Sequence, residues 1–140
     1  MSLLAELASI HPDSLSAPFW DACKKRELRL QRCADCGVFR HPPLTGCPSC
    51  ASPRDEWALV GNRGRVYSHT TIYHPALPTV ADEVPYNVVV VEFDDAPGAR
   101  IISNVLDAEP EEIHVGLELE LHWDDCGDGV VLPRFKIASK

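Results

Sequence analysis

The clearest hydrophobic pattern in the chain is a strict alternation over residues 117–123. Three leucines and Trp123 fall on one face, and Glu118, Glu120 and His122 fall on the other. Because successive side chains of a β-strand point to opposite faces, this pattern predicts a half-buried strand. Four other stretches have strand composition, and we predict further strands at 65–74, 86–93, 99–106 and 130–137. The run of four valines predicts that 86–93 is the most buried of the five.

The connections between these strands favour an OB barrel. Asp128-Gly129 predicts a hairpin turn before the last strand, and Pro133 predicts an edge or a bulge within it. Residues 109–113 predict a short helical turn between the third and fourth strands. Five strands with a small helix after the third is the order of an OB-fold, so we assign residues 58–140 to a C-terminal five-stranded OB-fold barrel. Its first residues, 58–64, are expected to be a connector.

The apolar spacing near the N-terminus is helical instead. Leu3, Leu4 and Leu7 would share one side of a short helix at 2–9. A second helix is predicted to start near Pro18, a good first-turn residue, with Ser16 or Ala17 at the cap. In it, Phe19 and Cys23 are four residues apart and would share a face, while Trp20 adds a second large apolar surface. We therefore expect an N-terminal helical segment over residues 1–26. Its apolar side chains either pack in the core or, if Phe19 and Trp20 are exposed, form an adhesive surface for a partner.

Between these parts lie two Cys-x-x-Cys turns, Cys33-Ala34-Asp35-Cys36 and Cys47-Pro48-Ser49-Cys50. This spacing indicates one tetrahedral metal site with Cys33, Cys36, Cys47 and Cys50 as ligands, because each tight turn points two thiolates at a common centre. Four sulfurs leave no open position, so the predicted zinc is structural. The alternatives are two disulfides in a secreted protein, or iron in a rubredoxin-like electron carrier.

The residues around these turns predict a zinc ribbon over 27–57. Strands are expected at 27–32, with leucines on one face and Arg29 and Gln31 on the other, and at 38–41. Gly37 can supply the positive φ that such a turn needs. His41 is a nearby fifth ligand candidate that we interpret as structural, because the cysteines already fill the shell. The fold class is therefore mainly β: short N-terminal helices, a rubredoxin-like zinc ribbon and a C-terminal OB-fold barrel.

Charge distinguishes the two halves of the chain. Up to Trp57 there are seven Lys or Arg and seven Asp or Glu, and from Ala58 onward there are six and fourteen, so the whole net charge of -8 lies in the second half. An acidic barrel argues against nucleic-acid binding. The apolar runs are too short for a membrane span, and residues 1–10 lack a basic n-region, so we expect a cytoplasmic protein without a membrane partner.

The residues show no catalytic set. The chain has no phosphate-cradling glycine loop, no Gly-x-Ser-x-Gly elbow and no His-Glu-x-x-His motif. Asp94-Asp95 and Asp124-Asp125 flank turns and are interpreted as solvated carboxylates. Cys126 falls in a turn and is expected to be exposed, with no neighbour that would lower its pKa.

Together these stretches resemble a known family. The matching segments are Pro18-Phe19-Trp20, Leu30 to Gly37, Pro42-Pro43, Cys47 to Cys50, Gly64 to Ser68, Pro85-Tyr86 and Leu132 to Phe135. They are similar to domain-of-unknown-function family 35, small proteins with an N-terminal helical segment, a rubredoxin-like zinc ribbon and an OB-fold. The resemblance implies acyl-CoA metabolism, including lipid or steroid breakdown, in which a thiolase-superfamily partner carries the nucleophile.

The resemblance also implies a function for this chain. We expect a non-catalytic, acyl-CoA-binding accessory subunit in a hetero-oligomer with a ketothiolase or a steroid side-chain retro-aldolase. The alternatives are a subunit of a hot-dog-fold acyl-CoA hydratase and a zinc-ribbon/OB accessory of nucleic-acid enzymes. If a CoA thioester is the ligand, its phosphates need cations, and guanidinium groups suit phosphate. The candidates on or next to the ribbon and the ribbon–barrel connector are Arg29, Arg32, Arg40, Arg63 and Arg65. The alternative is that they are surface arginines or arginines paired with carboxylates.

Overall fold

A computed structural model describes residues 10–140, so the helix predicted at 2–9 lies outside the described residues. Helix α1 spans Ala17–Lys24 and begins after Ser16 with proline in its first turn, as predicted. Phe19 and Cys23 are both buried on its inner face. Within residues 10–140, no helix is long and apolar enough to cross a membrane.

The ribbon is a three-stranded antiparallel sheet rather than the two strands predicted. Strands β1 (Arg29–Cys33), β2 (Phe39–Arg40) and β3 (Asp55–Leu59) are arranged in the order β2-β1-β3. The prediction of a connector over 58–64 was wrong, because β3 pairs with β1 up to its last residue. Only residues 60–62 link the ribbon to the barrel.

The second sheet is the predicted five-stranded barrel. Its strands are β4 (Arg63–Ile72), β5 (Tyr86–Glu92), β6 (Arg100–Ser103), β7 (Glu118–Gly127) and β8 (Val130–Ile137), in the order β6-β5-β4-β7-β8. A parallel bridge between Val105 and Phe135 brings the two edges together, so the sheet is nearly closed. A 3₁₀ turn at Pro110–Glu112 follows the third strand, as the OB-fold order requires.

The hairpin turn, the edge strand and the most buried strand of the barrel agree with the sequence predictions. Asp128 and Gly129 both have positive φ, +52° and +76°, which is the conformation of a type I′ hairpin turn. Strand β8 ends the sheet, so Pro133 lies on an edge strand as predicted. Strand β5 is the barrel strand without an exposed residue, with Val89 and Val91 fully buried.

One hydrophobic core joins the helix, the ribbon and the barrel. Phe19 from α1 and Leu30 from the ribbon belong to the same buried cluster as Val89 and Phe135 from the barrel. Of the two possibilities for the aromatic residues of α1, packing in the core is confirmed for Phe19, which is 5% exposed. Trp20 is half-buried at the edge of this core. The ribbon and barrel are therefore held together by shared apolar burial.

Candidate functional site

The two Cys-x-x-Cys turns bring four thiol sulfurs to one point of the ribbon. The Sγ atoms of Cys33, Cys36, Cys47 and Cys50 all lie within 4.8 Å of one another. The Sγ–Sγ distance is 3.6 Å between Cys33 and Cys50, and 3.5 Å between Cys36 and Cys47. A disulfide needs about 2.05 Å, so the four cysteines are free thiols and not two disulfides.

This geometry fits a zinc ion. Tetrahedral Zn–S bonds of about 2.3 Å place the sulfurs about 3.8 Å apart, close to the distances observed. The sulfurs would occupy all four positions, so a substrate could not coordinate the metal. A rubredoxin-like ribbon with four cysteines thus supports a structural zinc, whose chemistry when bound is to fix the two turns together.

Backbone N–H groups prepare the sulfurs for a cation. The N–H of Cys36 donates to Cys33 Sγ at 3.4 Å, and the N–H of Ser49 donates to Cys47 Sγ at 3.4 Å. The first contact stabilises the thiolate and lowers the pKa of Cys33 to about 7. The pKa of Cys47 is also lowered, mainly by the backbone N–H of Cys50. Because the thiolate is the metal-binding form, these contacts favour metal binding by Cys33 and Cys47.

Each turn closes with a left-handed residue directly after its second cysteine. Gly37 has φ +79° and donates its N–H to the carbonyl of Cys33 at 3.0 Å. Ala51 has φ +65° and donates to the carbonyl of Cys47 at 2.8 Å. The sequence predicted this role for Gly37 but held no signal for Ala51, because alanine rarely adopts positive φ.

A polar cluster ties the second turn to the first. Asp35, inside the first turn, accepts hydrogen bonds from the Ser52 hydroxyl and the Arg54 guanidinium. The Ala34 N–H donates to the carbonyl of Arg54 at 3.0 Å. The chain leaving the second turn is therefore anchored on the first.

Gln31 organises the other side of the ribbon. Its side chain is 1% exposed and makes four hydrogen bonds. Its amide nitrogen donates to the carbonyl of Leu44 at 3.0 Å and to Asp55. Its oxygen accepts from Arg40 Nε at 2.7 Å and from the Leu44 N–H at 2.8 Å. These bonds fix the loop at 41–44 against β1.

The three ribbon arginines predicted to contact CoA phosphate are engaged with neighbouring residues. Arg29 Nε lies 2.7 Å from Glu27, and Arg32 Nη2 lies 2.6 Å from Glu56. Arg40 is 5% exposed and is held by Gln31, so its guanidinium is not presented to a ligand. A phosphate role for these three arginines stays a prediction.

The two barrel arginines of that prediction share a small hollow of about 270 Å³. Its walls include Arg63 and Arg65 together with Glu92, Asp94 and Glu118. Arg65 Nη2 lies 2.8 Å from Asp94 and 3.7 Å from Glu92. With three carboxylates and two guanidinium groups, the hollow is net negative. A phosphate role for these arginines stays a prediction.

A larger groove, of about 660 Å³, lies elsewhere. It is bounded by α1, the ribbon residues 41–43 and the barrel strands β6 and β8. Its walls are mostly apolar, with Trp20 on one side and Ile102 and Pro133 on the other, and Arg100 is its exposed cation. Sequence reasoning missed this groove, because residues 42, 102 and 133 meet only through the tertiary fold.

A four-cysteine ribbon joined to an OB barrel defines a class of small zinc-ribbon/OB proteins. Two family models match the chain: the "ChsH2, rubredoxin-like zinc ribbon domain" over residues 20–56 and the "ChsH2, C-terminal OB-fold domain" over residues 57–124. A chain of the solved structure "Ltp2-ChsH2(DUF35) aldolase" is 33% identical, with a TM-score of 0.83 over 94% of this chain and 100% of that one. The chain belongs to the DUF35 family, as the sequence resemblance predicted.

Two curated relatives differ in length and name. The "Benzoylsuccinyl-CoA thiolase subunit BbsA" of Thauera aromatica is 28% identical over 94% of this chain and 88% of its own length. The "Probable enoyl-CoA hydratase alpha subunit" of Thermomonospora curvata is 37% identical over 86% of this chain. This chain spans only 37% of the length of that hydratase subunit.

Proposed function

We propose that this protein is a non-catalytic accessory subunit that assembles with a thiolase-superfamily enzyme of the ketothiolase or retro-aldolase type, and helps to bind or channel its CoA thioester. The observation that carries the proposal is the full-length match to the DUF35 chain of the Ltp2–ChsH2 aldolase, at TM-score 0.83. The match to a subunit named for a benzoylsuccinyl-CoA thiolase supports the same type of partner.

The geometry supports a positioning role. The four sulfurs of the ribbon leave a bound zinc no open position for substrate. The shared core and the three-residue link between the sheets hold ribbon and barrel as one rigid surface. A rigid subunit beside a partner's active site can restrict the thioester to a reactive orientation and so lower the entropic part of the barrier. We assign the nucleophile and the acid–base groups to the partner.

A specific observation supports a second candidate function, assembly with an acyl-CoA hydratase. The Thermomonospora curvata relative carries a hydratase name, and this chain matches about two fifths of it. A separate chain of this kind could assemble with a hot-dog-fold acyl-CoA hydratase. The two candidates differ in the partner that co-purifies and in the reaction that the complex accelerates.

Co-expression with possible partner enzymes tests both candidate functions. The chain is expressed with each thiolase-superfamily and each hot-dog-fold protein encoded in the same genome, followed by size exclusion and assay of both reactions. We expect stable co-elution with a thiolase-superfamily protein, through an interface of about 1,600 Å² or more. We also expect at least a tenfold rise in the partner's rate on a CoA thioester.

Surface variants extend this experiment by locating the surface that contacts the partner. Tyr73, Leu77 and Val115 are 68%, 52% and 66% exposed, so single Glu substitutions there should change co-elution without disturbing the core. Elution of the unaltered chain alone with every candidate, and no change in any rate, would show that the accessory-subunit proposal is wrong. Co-elution with a hydratase alone would select the second candidate.

A further inference from the structure

The groove between helix, ribbon and barrel has the shape and composition of a site for an apolar chain. Its volume of about 660 Å³ falls within the range of small-molecule sites, about 300–1,000 Å³. Phe19 and Trp20 of α1 and Pro42 and Pro43 of the ribbon form one wall. Ile102 at its rim is 75% exposed, the highest value among the exposed large hydrophobic side chains of residues 10–140.

The charge of the groove is opposite to that of the molecule. Three other hollows in residues 10–140 include carboxylates in their walls, whereas the walls of this groove include arginines and no acidic residue. Arg134 is 4% exposed and pairs with Asp124 at 2.6 Å, so it serves the fold. Arg100 is exposed. The net charge of the chain is -8, yet the exposed charge of this groove is positive and its walls are mostly apolar. The groove therefore favours a ligand that is both apolar and anionic.

Arg100 is placed to meet an anion. Its Cζ lies 3.8 Å from the centroid of the Tyr67 ring, a cation–π contact that holds the guanidinium over the outer face of the sheet. Glu92 lies opposite Arg100 in the β5–β6 register, but the carboxylate of Glu92 contacts Arg65 at 3.7 Å. No ion pair involves Arg100 among residues 10–140. The positive charge therefore remains available at the rim.

The position of the groove on the barrel is a further indication of a ligand. The groove includes Val90 of β5 and the residues of β6, the second and third barrel strands. OB-folds bind oligonucleotides and oligosaccharides on the face of those two strands, so this face of the barrel can serve as a ligand site.

We propose that this groove binds the acyl chain of an acyl-CoA thioester, with Arg100 contacting a CoA phosphate at its rim. The choice of a CoA thioester among anionic amphiphiles rests on the proposed function, and the groove itself rests on the geometry. Bidentate guanidinium–phosphate contacts are strong and directional. The site differs from the arginine set predicted from the sequence, since it requires neither Arg63 nor Arg65.

Binding to the zinc-loaded chain alone tests the proposal, measured by calorimetry with acetyl-CoA, octanoyl-CoA and free octanoate. Each buried methylene contributes about 0.8 kcal/mol, or about a fourfold gain in affinity. We therefore expect octanoyl-CoA to bind at least tenfold more tightly than acetyl-CoA. Octanoate should bind more weakly than octanoyl-CoA, because it lacks the phosphates.

Matched variants locate the site. Ile102→Glu should weaken octanoyl-CoA binding by tenfold or more, whereas Val115→Glu, a similarly exposed aliphatic position outside the groove, should not. Arg100→Gln should weaken binding by about tenfold, the value of one charge-assisted hydrogen bond. Lys25→Gln, an exposed cation elsewhere, should leave binding unchanged.

Several results would overturn the proposal. Equal affinity for octanoate and octanoyl-CoA would remove the phosphate contact, and loss of binding in Arg63→Gln but not in Arg100→Gln would place the phosphates in the acidic hollow. Absence of acyl-CoA binding, combined with loss of partner co-elution in Ile102→Glu, would make the groove a protein-docking surface. Because ligand binding is measured on the chain alone and assembly by co-elution, either proposal can fail while the other holds.

Discussion

At the scale of single residues, Gln31 connects more of the ribbon than any neighbouring side chain. Its amide saturates four hydrogen bonds to Arg40, Leu44 and Asp55 inside a nearly dry site. A buried donor or acceptor left without a partner costs about 1–3 kcal/mol. The loop at 41–44, which contributes to one wall of the groove, therefore depends on a residue of β1 that does not line the groove.

Replacing Gln31 with Met keeps the volume but removes all four bonds. We expect Gln31→Met to lower the free energy of unfolding by about 2–4 kcal/mol, since Arg40 Nε and the Leu44 N–H would lose their acceptor. Urea unfolding measures this. Arg32→Gln, which removes an exposed ion pair on the same strand, should cost less than about 1 kcal/mol. Equal losses in the two variants would contradict the role assigned to Gln31.

His41 makes a pH-dependent contribution to stability. Its ring packs against Phe19 with 5.0 Å between ring centroids, and burial lowers the pKa of the imidazole below its usual value of about 6.5. The unfolded chain then binds a proton that the folded chain resists. The stability is present above pH 6.5 and is lost as the pH falls from 6.5 toward the folded-state pKa.

The direction of this pKa shift predicts a difference in pH dependence between variants. The loss of stability between about pH 7.5 and 5.5 should be smaller in His41→Phe than in the unaltered chain, measured by urea unfolding at each pH. Every other side chain is the same in both proteins, so the difference isolates His41. His74→Gln, at an exposed position, should behave like the unaltered chain. Identical pH dependence in all three proteins would show that His41 is not buried as a neutral ring.

At the scale of elements, the ribbon depends on its metal. Its two turns share one construction: a sulfur that accepts backbone N–H groups, then a left-handed residue after the second cysteine. Strand β2 is two residues long and pairs with β1 at two positions, so the sheet gives the cysteine turns little support. Metal binding would supply folding free energy there.

Metal analysis of freshly purified protein should therefore find one zinc ion per chain. Cys36→Ser should release it and unfold the ribbon, because three sulfurs cannot close the tetrahedral shell. Cys126→Ser, outside the cluster, should retain the metal and the fold. Stoichiometric iron with a red colour, or unchanged zinc content in Cys36→Ser, would refute the assignment of zinc to these four cysteines.

At the scale of the whole molecule, charge determines which polymers the barrel can approach. Fourteen acidic and six basic residues from Ala58 onward give a repulsive field for nucleic acid over the screening range of about 8–10 Å. We expect no shift of single-stranded oligonucleotides in low-salt gels at micromolar protein. Tight binding that weakens steeply with added salt would restore the nucleic-acid accessory hypothesis.

The sequence by itself determined what short segments dictate. Cysteine spacing identified the metal cluster, alternation and valine content located the barrel strands, and Asp128-Gly129 predicted a hairpin turn, because each depends on a few consecutive residues. The short segments that resemble the DUF35 family also identified that family. These features are local, and their physical causes are visible within a window of about ten residues.

Only the tertiary structure decided the rest. Strand β3 exists because Asp55–Leu59 meets β1, and Gln31 turns inward because residues 40, 44 and 55 surround it. Phe19 enters the core because ribbon and barrel approach α1 together. The groove is assembled from three separate parts of the chain, and its positive rim arises because Arg100 stacks on Tyr67 while nearby acids pair with Arg65. Each outcome depends on contacts between residues far apart in sequence, which periodicity and spacing cannot specify.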